Sequence, residues 1–271
     1  MKTYQSKYLA KEIKAHALKM VHESGSSHIG SCLSITDILA VLYNDILNIK
    51  SDNPNMPERD RFILSKGHAC AALYATLALK RFFDVDKLST FASFNSTLMS
   101  HASHKVPGVE FSTGSLGHGL PFGVGKALFA KMNNKKWNVF VLLSDGELNE
   151  GSNWESFMFA SHHKLDNLNV IIDYNKLQSL TTTKKTLNLE PLKDKFESFG
   201  FFVTETDGHC HLSLKKSLAK RMKKNNQPRI IIAHTTKGKG IDFMENKVEW
   251  HYKSPNQNQL KEALNQVGNE L

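Results

Sequence analysis

The sequence predicts an α/β protein: a parallel sheet with helices on both faces. Two observations carry this. Val139–Leu143, Val170–Asp173 and residues 229–233 are short, almost wholly apolar runs, the signature of strands buried on both faces. The segments between them have helical periodicity, so strands and helices alternate in the second half of the chain. No internal repeat, low-complexity stretch or interdomain linker interrupts the pattern, and a single domain over residues 1–271 is expected.

In chain order, Leu9, Ile13, Ala17, Met20 and Val21 fall at helical spacing and predict a helix over 5–23. A loop rich in glycine and serine follows, from Ser24 to Ser34. Ser34 reads as the N-cap of a helix running to Ile46, with Asp37 in its first turn. Residues 61–64 form a short strand, and Gly67-His68 leads into an alanine-rich helix over 69–82. After the strand at 139–143 come a helix over 153–164, the strand at 170–173, and a helix near 191–199. A strand at 201–205, a helix over 211–224 and a last strand at 229–233 complete the reading.

Composition narrows the function classes. About 40% apolar and 23% charged residues are ordinary for a globular protein, and no apolar run reaches the roughly 20 residues of a membrane span. The N-terminus has no signal-peptide pattern, and Cys32, Cys70 and Cys210 are too far apart to pair as metal ligands, so a reduced, cytoplasmic setting is expected. The net charge of +9 raises nucleic-acid binding. However, the lysines concentrate in Lys131–Lys136 and Lys215–Lys224 without interleaved aromatics, which reads as solvated surface. Neither a nucleic-acid nor a membrane partner is expected.

Parallel sheets bind ligands at the carboxyl ends of their strands, so the loops there matter most. The strand at 139–143 ends in Ser144-Asp145-Gly146-Glu147, and the next ends in Tyr174-Asn175-Lys176-Leu177. In a βαβ unit both loops open on one sheet edge. The Asp145 carboxylate, the Asn175 amide oxygen and the Leu177 carbonyl are hard donors suited to Mg²⁺ or Ca²⁺, with coordination left over for phosphate oxygens. Gly146 would let the backbone approach a diphosphate closely. Asp-Gly alone is an ordinary turn; the pair, each at a strand end, is far more specific.

Together with these, Ser26-Ser27-His28-Ile29-Gly30, Ser65-Lys66-Gly67-His68, the run Pro107–Gly119 and the closing Thr235–Gly240, Met244–Asn246 and Trp250-His251 occur in an order that resembles one family. The chain resembles the amino-terminal, diphosphate-binding subunit of a split bacterial transketolase over almost its whole length. The resemblance implies thiamine diphosphate as cofactor, held through a divalent metal on Asp145, Asn175 and Leu177. It places His68 at the diphosphate and His28 and His101 at substrate hydroxyls, where imidazoles can move protons near neutral pH. Gly114 and Leu116 fall at the aminopyrimidine ring and Lys237 and His251 near the diphosphate, while Glu150, implied to be both catalytic and cofactor-binding, falls with Glu155 in a carboxylate network at a subunit contact that links two active sites. For His104, His118, His162 and His163 a surface role is favoured.

The implied reaction moves a two-carbon ketol unit from a ketose to an aldose. In this family the glutamate at the pyrimidine ring comes from another domain. The expectation is therefore that the chain acts with a separate carboxyl-terminal subunit in an α₂β₂ assembly. Two other readings stay open. One is a different thiamine diphosphate enzyme component, deoxyxylulose phosphate synthase-like or from a 2-oxo acid dehydrogenase. The other is a degenerate scaffold, because Ser27, Ser100 and Ser144 stand where the family has glycine.

Overall fold

A computed structural model describes residues 2–219 and 226–269. Its centre is a five-stranded sheet: β1 (Arg61–Leu64), β2 (Val139–Ser144), β3 (Leu168–Tyr174), β4 (Phe202–Asp207) and β5 (Arg229–His234). The order is β1-β2-β3-β5-β4 and every pairing is parallel. The register sets Ser144 beside Asp173. The expected fold class is therefore observed, and the strand positions agree to within a few residues.

Side-chain alternation along the strands divides the core in two. Phe140, Leu142, Ile171 and Ile231 face one layer; Val139, Val141, Val170, Ile172 and Ile230 face the other. The first layer is built from α1 (Lys2–Ser24), α2 (Ile29–Leu33), α3 (Thr36–Val41), α4 (Cys70–Leu79), α9 (His211–Leu218) and α10 (Gln257–Gly268). The second comes from α5 (Gly119–Met132), α6 (Gly151–His162) and α8 (Leu192–Ser198). A short helix, α7 (Thr183–Thr186), lies in the segment after β3.

Four expectations are corrected. The loop at 24–34 contains α2. Ser34 caps no following helix: it sits at the C-cap of α2, and its hydroxyl is drawn to the Asp173 carboxylate (2.7 Å) and the Ser31 carbonyl (3.1 Å). The helix expected to run to Ile46 is regular only over α3 and continues as a π-helical turn, Leu42–Ile46. The helix expected over 211–224 ends at Leu218; residues 220–224 lie outside the described residues.

Besides the short α2 and α7, two longer helices have no counterpart in the sequence reading. α5 contains three glycines, which lower helix propensity, yet a Cβ on Gly123 would stand 2.5 Å from Val141. Its bare backbone lets α5 lie directly on the sheet. α10 opens with a capping box between Asn256 and Gln259 and buries Leu260, Ala263 and Val267.

Candidate functional site

The carboxyl ends of β1, β2, β3 and β5 meet at one edge of the sheet, and a cavity of about 290 Å³ opens there. Its floor is polar because the strands end in polar residues at that height. Asp145 leaves β2 at the start of a single 3₁₀ turn, Gly146–Asn149. Its carboxylate, 1% exposed, accepts from the Gly146 N–H (2.7 Å) and, across the strand gap, from the Lys176 N–H (2.5 Å). Asn175, also buried, accepts from the Leu177 N–H (3.1 Å) and donates to Asp173 (3.1 Å). The expected βαβ juxtaposition is thus present: Asp145, Asn175 and Leu177 line one cavity.

Beneath them Asp173, 0% exposed, forms a buried ion pair with Lys66 (2.5 Å) and accepts from the hydroxyls of Ser34 and Thr235. Lys66 also donates to the Ser31 carbonyl (3.2 Å). Burial pushes the Asp173 carboxyl up, but the Lys66 ammonium and these donors outweigh it and hold it below the usual carboxylate range. Asp145 is the opposite case. Burial, then the Asp173 charge, raise it to about 7.

The β1 loop enters without room for a side chain: a Cβ on Gly67 would lie 2.3 Å from the Thr113 carbonyl oxygen. This close approach brings His68 to the cavity beside the segment carrying Gly114 and Leu116. That segment is clamped from below by Glu147, which accepts from the Ser65 hydroxyl (2.5 Å) and the Gly117 N–H (3.0 Å). Burial raises the Glu147 carboxyl despite these donors.

The wall facing the carboxylate is made of imidazoles. His28 stands 5.1 Å from His68, 5.9 Å from His101 and 5.0 Å from His251, ring centre to ring centre. His28 has left-handed backbone (φ 77°), and its N–H donates to the His251 carbonyl (2.9 Å). Burial, then neighbouring His101 and the ammoniums of Lys237 and Lys66, lower His28 to about 4. Burial and Lys237 lower His251 to about 3, and burial with Lys66 holds His68 well below its usual value. All three rings are neutral at pH 7, each with one N–H to donate and one nitrogen to accept. Lys237, buried and lowered to about 8 chiefly by burial, lies 2.9 Å from His251 Nδ1. An ammonium only donates, so Nδ1 accepts and the His251 proton sits on Nε2.

The cavity thus gathers His28, His68, His101, Gly114, Leu116, Asp145, Gly146, Asn175, Leu177, Lys237 and His251. Glu150 is not among them. It is exposed at the N-cap of α6, against Gly117, and Glu155 is exposed one turn on. His104, His118, His162 and His163 are all exposed outside the cavity, as expected. Sequence reasoning assigns no role to Lys66, Asp173, Glu147, Gln178 or Tyr252. Lys66 and Asp173 stand inside or beside recognisable motifs, but only the fold reveals that they pair.

Two features test whether a metal and diphosphate fit. Asp145 is a buried carboxylate with no ammonium against it among the described residues, and the Gln178 amide nitrogen beside Gly146 is buried without a partner. A cation and an anionic oxygen are the groups these two atoms lack. Among the described residues no cluster of three His, Cys, Asp or Glu could hold a metal. The donor set here is of another kind, one carboxylate with amide and carbonyl oxygens, which phosphate oxygens would complete. The residues fit.

Residues 5–270 match the family described as transketolase, thiamine diphosphate binding domain. The chain is 42% identical to an apulose-4-phosphate transketolase subunit of Actinobacillus succinogenes, covering 100% of both. It is 37% identical to a 6-deoxy-6-sulfo-D-fructose transketolase subunit of a Clostridium species, covering 96% of this chain and 95% of that one. The crystal structure of transketolase from Campylobacter jejuni superposes with a TM-score of 0.90 at 32% identity, over 98% of this chain but 43% of that one. The chain therefore spans less than half the length of that transketolase. On its sequence, its fold and the composition of its cavity, the chain belongs to the transketolase family and is built on that family's thiamine diphosphate-binding domain.

Proposed function

We propose that the chain is the diphosphate-binding subunit of a two-subunit transketolase, folded over residues 1–271 as one domain. The observation that carries this is the pairing, within one cavity, of an oxygen donor set with a wall of neutral imidazoles and Lys237. Asp145, Asn175 and the Leu177 carbonyl hold Mg²⁺ or Ca²⁺. His68, His251, Lys237 and Gly146 receive the diphosphate, to which N–H groups and an ammonium donate charge-assisted bonds. Gly114 and Leu116 pack at the aminopyrimidine ring. When bound, thiamine diphosphate supplies the electron sink for moving a two-carbon ketol unit. His28 and His101 orient the sugar hydroxyls and exchange protons with them, a task suited to imidazoles.

Glu150 acts at a subunit contact rather than inside the cavity. The apulose-4-phosphate and sulfofructose relatives are each named as one subunit of a transketolase, which supports a partner chain. The assembly proposed is α₂β₂ with a carboxyl-terminal, pyrimidine-binding subunit, in the cytoplasm. A ketose or ketose phosphate donates and an aldose accepts; the relatives named for apulose 4-phosphate and sulfofructose indicate a specialised sugar.

The test is ketol transfer by the purified chain with and without the partner subunit, Mg²⁺ and thiamine diphosphate. Turnover is expected only in the complete mixture, and Asp145→Ala should abolish it. Robust turnover by the lone chain would overturn the split site. Adduct formation from pyruvate but not from ketoses would move the chain to another thiamine diphosphate enzyme.

A further inference from the structure

A second, smaller cavity of about 190 Å³ lies beyond the Thr235–Gly240 loop, between α1 and the start of α9. Lys7, Lys11 and Lys14 reach it from one face of α1, at the helical spacing that stacks side chains. Lys239 reaches it from the loop. At its wall Asp37 accepts from His209 Nδ1 (2.8 Å) and His211 Nε2 (2.9 Å). The remaining ring nitrogens are also engaged: His209 Nε2 accepts from the Thr236 N–H (2.8 Å), and His211 Nδ1 meets the Ser6 hydroxyl (2.8 Å).

This bonding assigns the charges. His209 accepts a backbone N–H on Nε2, so it donates to Asp37 through Nδ1 and is neutral. Asp37 is the lone carboxylate lining the cavity among the described residues, and both its oxygens are committed to imidazoles. Lys239 has the nearby Glu245 at 3.2 Å, and Lys11 donates to the Gly268 carbonyl (2.7 Å). Lys14, 3% exposed, lies close enough for its charge to act on Asp37; even so, Lys7, Lys11 and Lys239 bring three further ammoniums to a space with one carboxylate in its lining. Like charges held at a concave, partly desolvated site focus a positive potential.

We propose that this cavity is a phosphoryl-binding site, separate from the cofactor cavity, taking inorganic phosphate or a small phosphate monoester through Lys7, Lys11 and Lys239. It is smaller than the cofactor cavity, about 190 against about 290 Å³, which favours a phosphoryl group with a short tail over a nucleotide. The site does not depend on the reading of the cofactor cavity. The two nevertheless share one loop: Lys237 enters the cofactor cavity and Lys239, two residues on, enters this one, while Thr236, just before Lys237, is tied to His209.

The test follows backbone amides of the isotope-labelled full chain during titration with inorganic phosphate and with glycerol 3-phosphate, at constant ionic strength set by chloride. Saturable shifts are expected at Lys7–Lys14 and at Thr236 and Lys239. Tighter binding of the ester would identify a phosphate ester as the ligand, and equal binding free phosphate. Affinity should fall about tenfold or more when an ammonium contact is removed, read in Lys11→Gln and independently in Lys7→Gln/Lys239→Gln. Gly146 and Leu177 report separately on the cofactor cavity, so phosphate entering there, or failing to, leaves this result intact. Shifts that do not saturate, or that persist undiminished in both variants, would overturn the proposal.

Discussion

Asp145 and Asp173 sit at the ends of neighbouring strands, both buried, one residue apart in register, and they are held in opposite states. Asp173 has an internal cation in Lys66 and is kept ionised. Asp145 has two backbone N–H groups but no cation against it among the described residues, and it is pushed up to about 7. The same side chain at the same depth therefore does two jobs. Asp173 belongs to the scaffold and completes its charge balance within the chain. Asp145 is left incomplete, and an incomplete buried carboxylate at the mouth of a cavity marks where an external cation belongs.

The sharpest way to break this contrast is to remove the internal cation. Lys66→Met strands the Asp173 carboxylate and should destabilise the protein by about 3–5 kcal/mol, measured by denaturant unfolding. Lys66→Met/Asp173→Asn should recover much of that loss. Equal stability of the single and double variants would mean that Asp173 does not depend on Lys66.

A somewhat smaller effect concerns pH in the metal-free protein. Asp145 keeps its proton when folded up to about pH 7, whereas the unfolded chain releases it near pH 4. The folded state thus binds the extra proton between these values, and stability falls as pH rises through that window. Asp173 has the opposite sign: its contribution is present above about pH 4 and is lost as pH falls toward its lowered folded value. Asp145→Asn should therefore lose less stability than the parent between pH 5 and 8, by on the order of 2–4 kcal/mol. Parallel profiles in the presence of chelator would refute the assignment.

The smallest effect probes the orphaned amide. Gln178→Leu should leave the ligand-free protein within about 1 kcal/mol of the parent, or slightly above it, because an unpaired buried donor is removed. Thiamine diphosphate binding, followed by calorimetry, should weaken severalfold. Unchanged binding would show that Gln178 does not face the phosphate oxygens.

The same contrast explains what can be read from the sequence. β2 and β3 are legible because strands covered on both faces are continuous apolar runs, and the donors Asp145 and Asn175 follow directly from their ends. His28 and His68 are legible through the motifs that contain them, and His101 through its place six residues before Pro107. The Lys66–Asp173 pair is not, because a lysine after β1 and an aspartate ending β3 become partners only through strand order. Glu147 reads as part of a turn, although it holds the Gly117 segment in place. α5 is hidden by its glycines, whose contact with the sheet overrides local propensity, and Ser34 serves Asp173 rather than a helix cap. Glu150 lies five residues after Asp145, but spacing along the chain does not tell which side of a helix start faces the cavity.

The hydrogen bond from His28 to the His251 carbonyl has a bearing on how the protein is made. It joins the segment after the first helix to one that lies beyond the last strand, and Lys237 reaches the cavity from just past that strand. During synthesis the early histidines emerge long before their partners. The left-handed turn at His28 has no His251 carbonyl to hold it until residue 251 has left the ribosome. Such distant closures come late in folding. A chain that has not yet extended to His251 therefore presents only part of the imidazole wall.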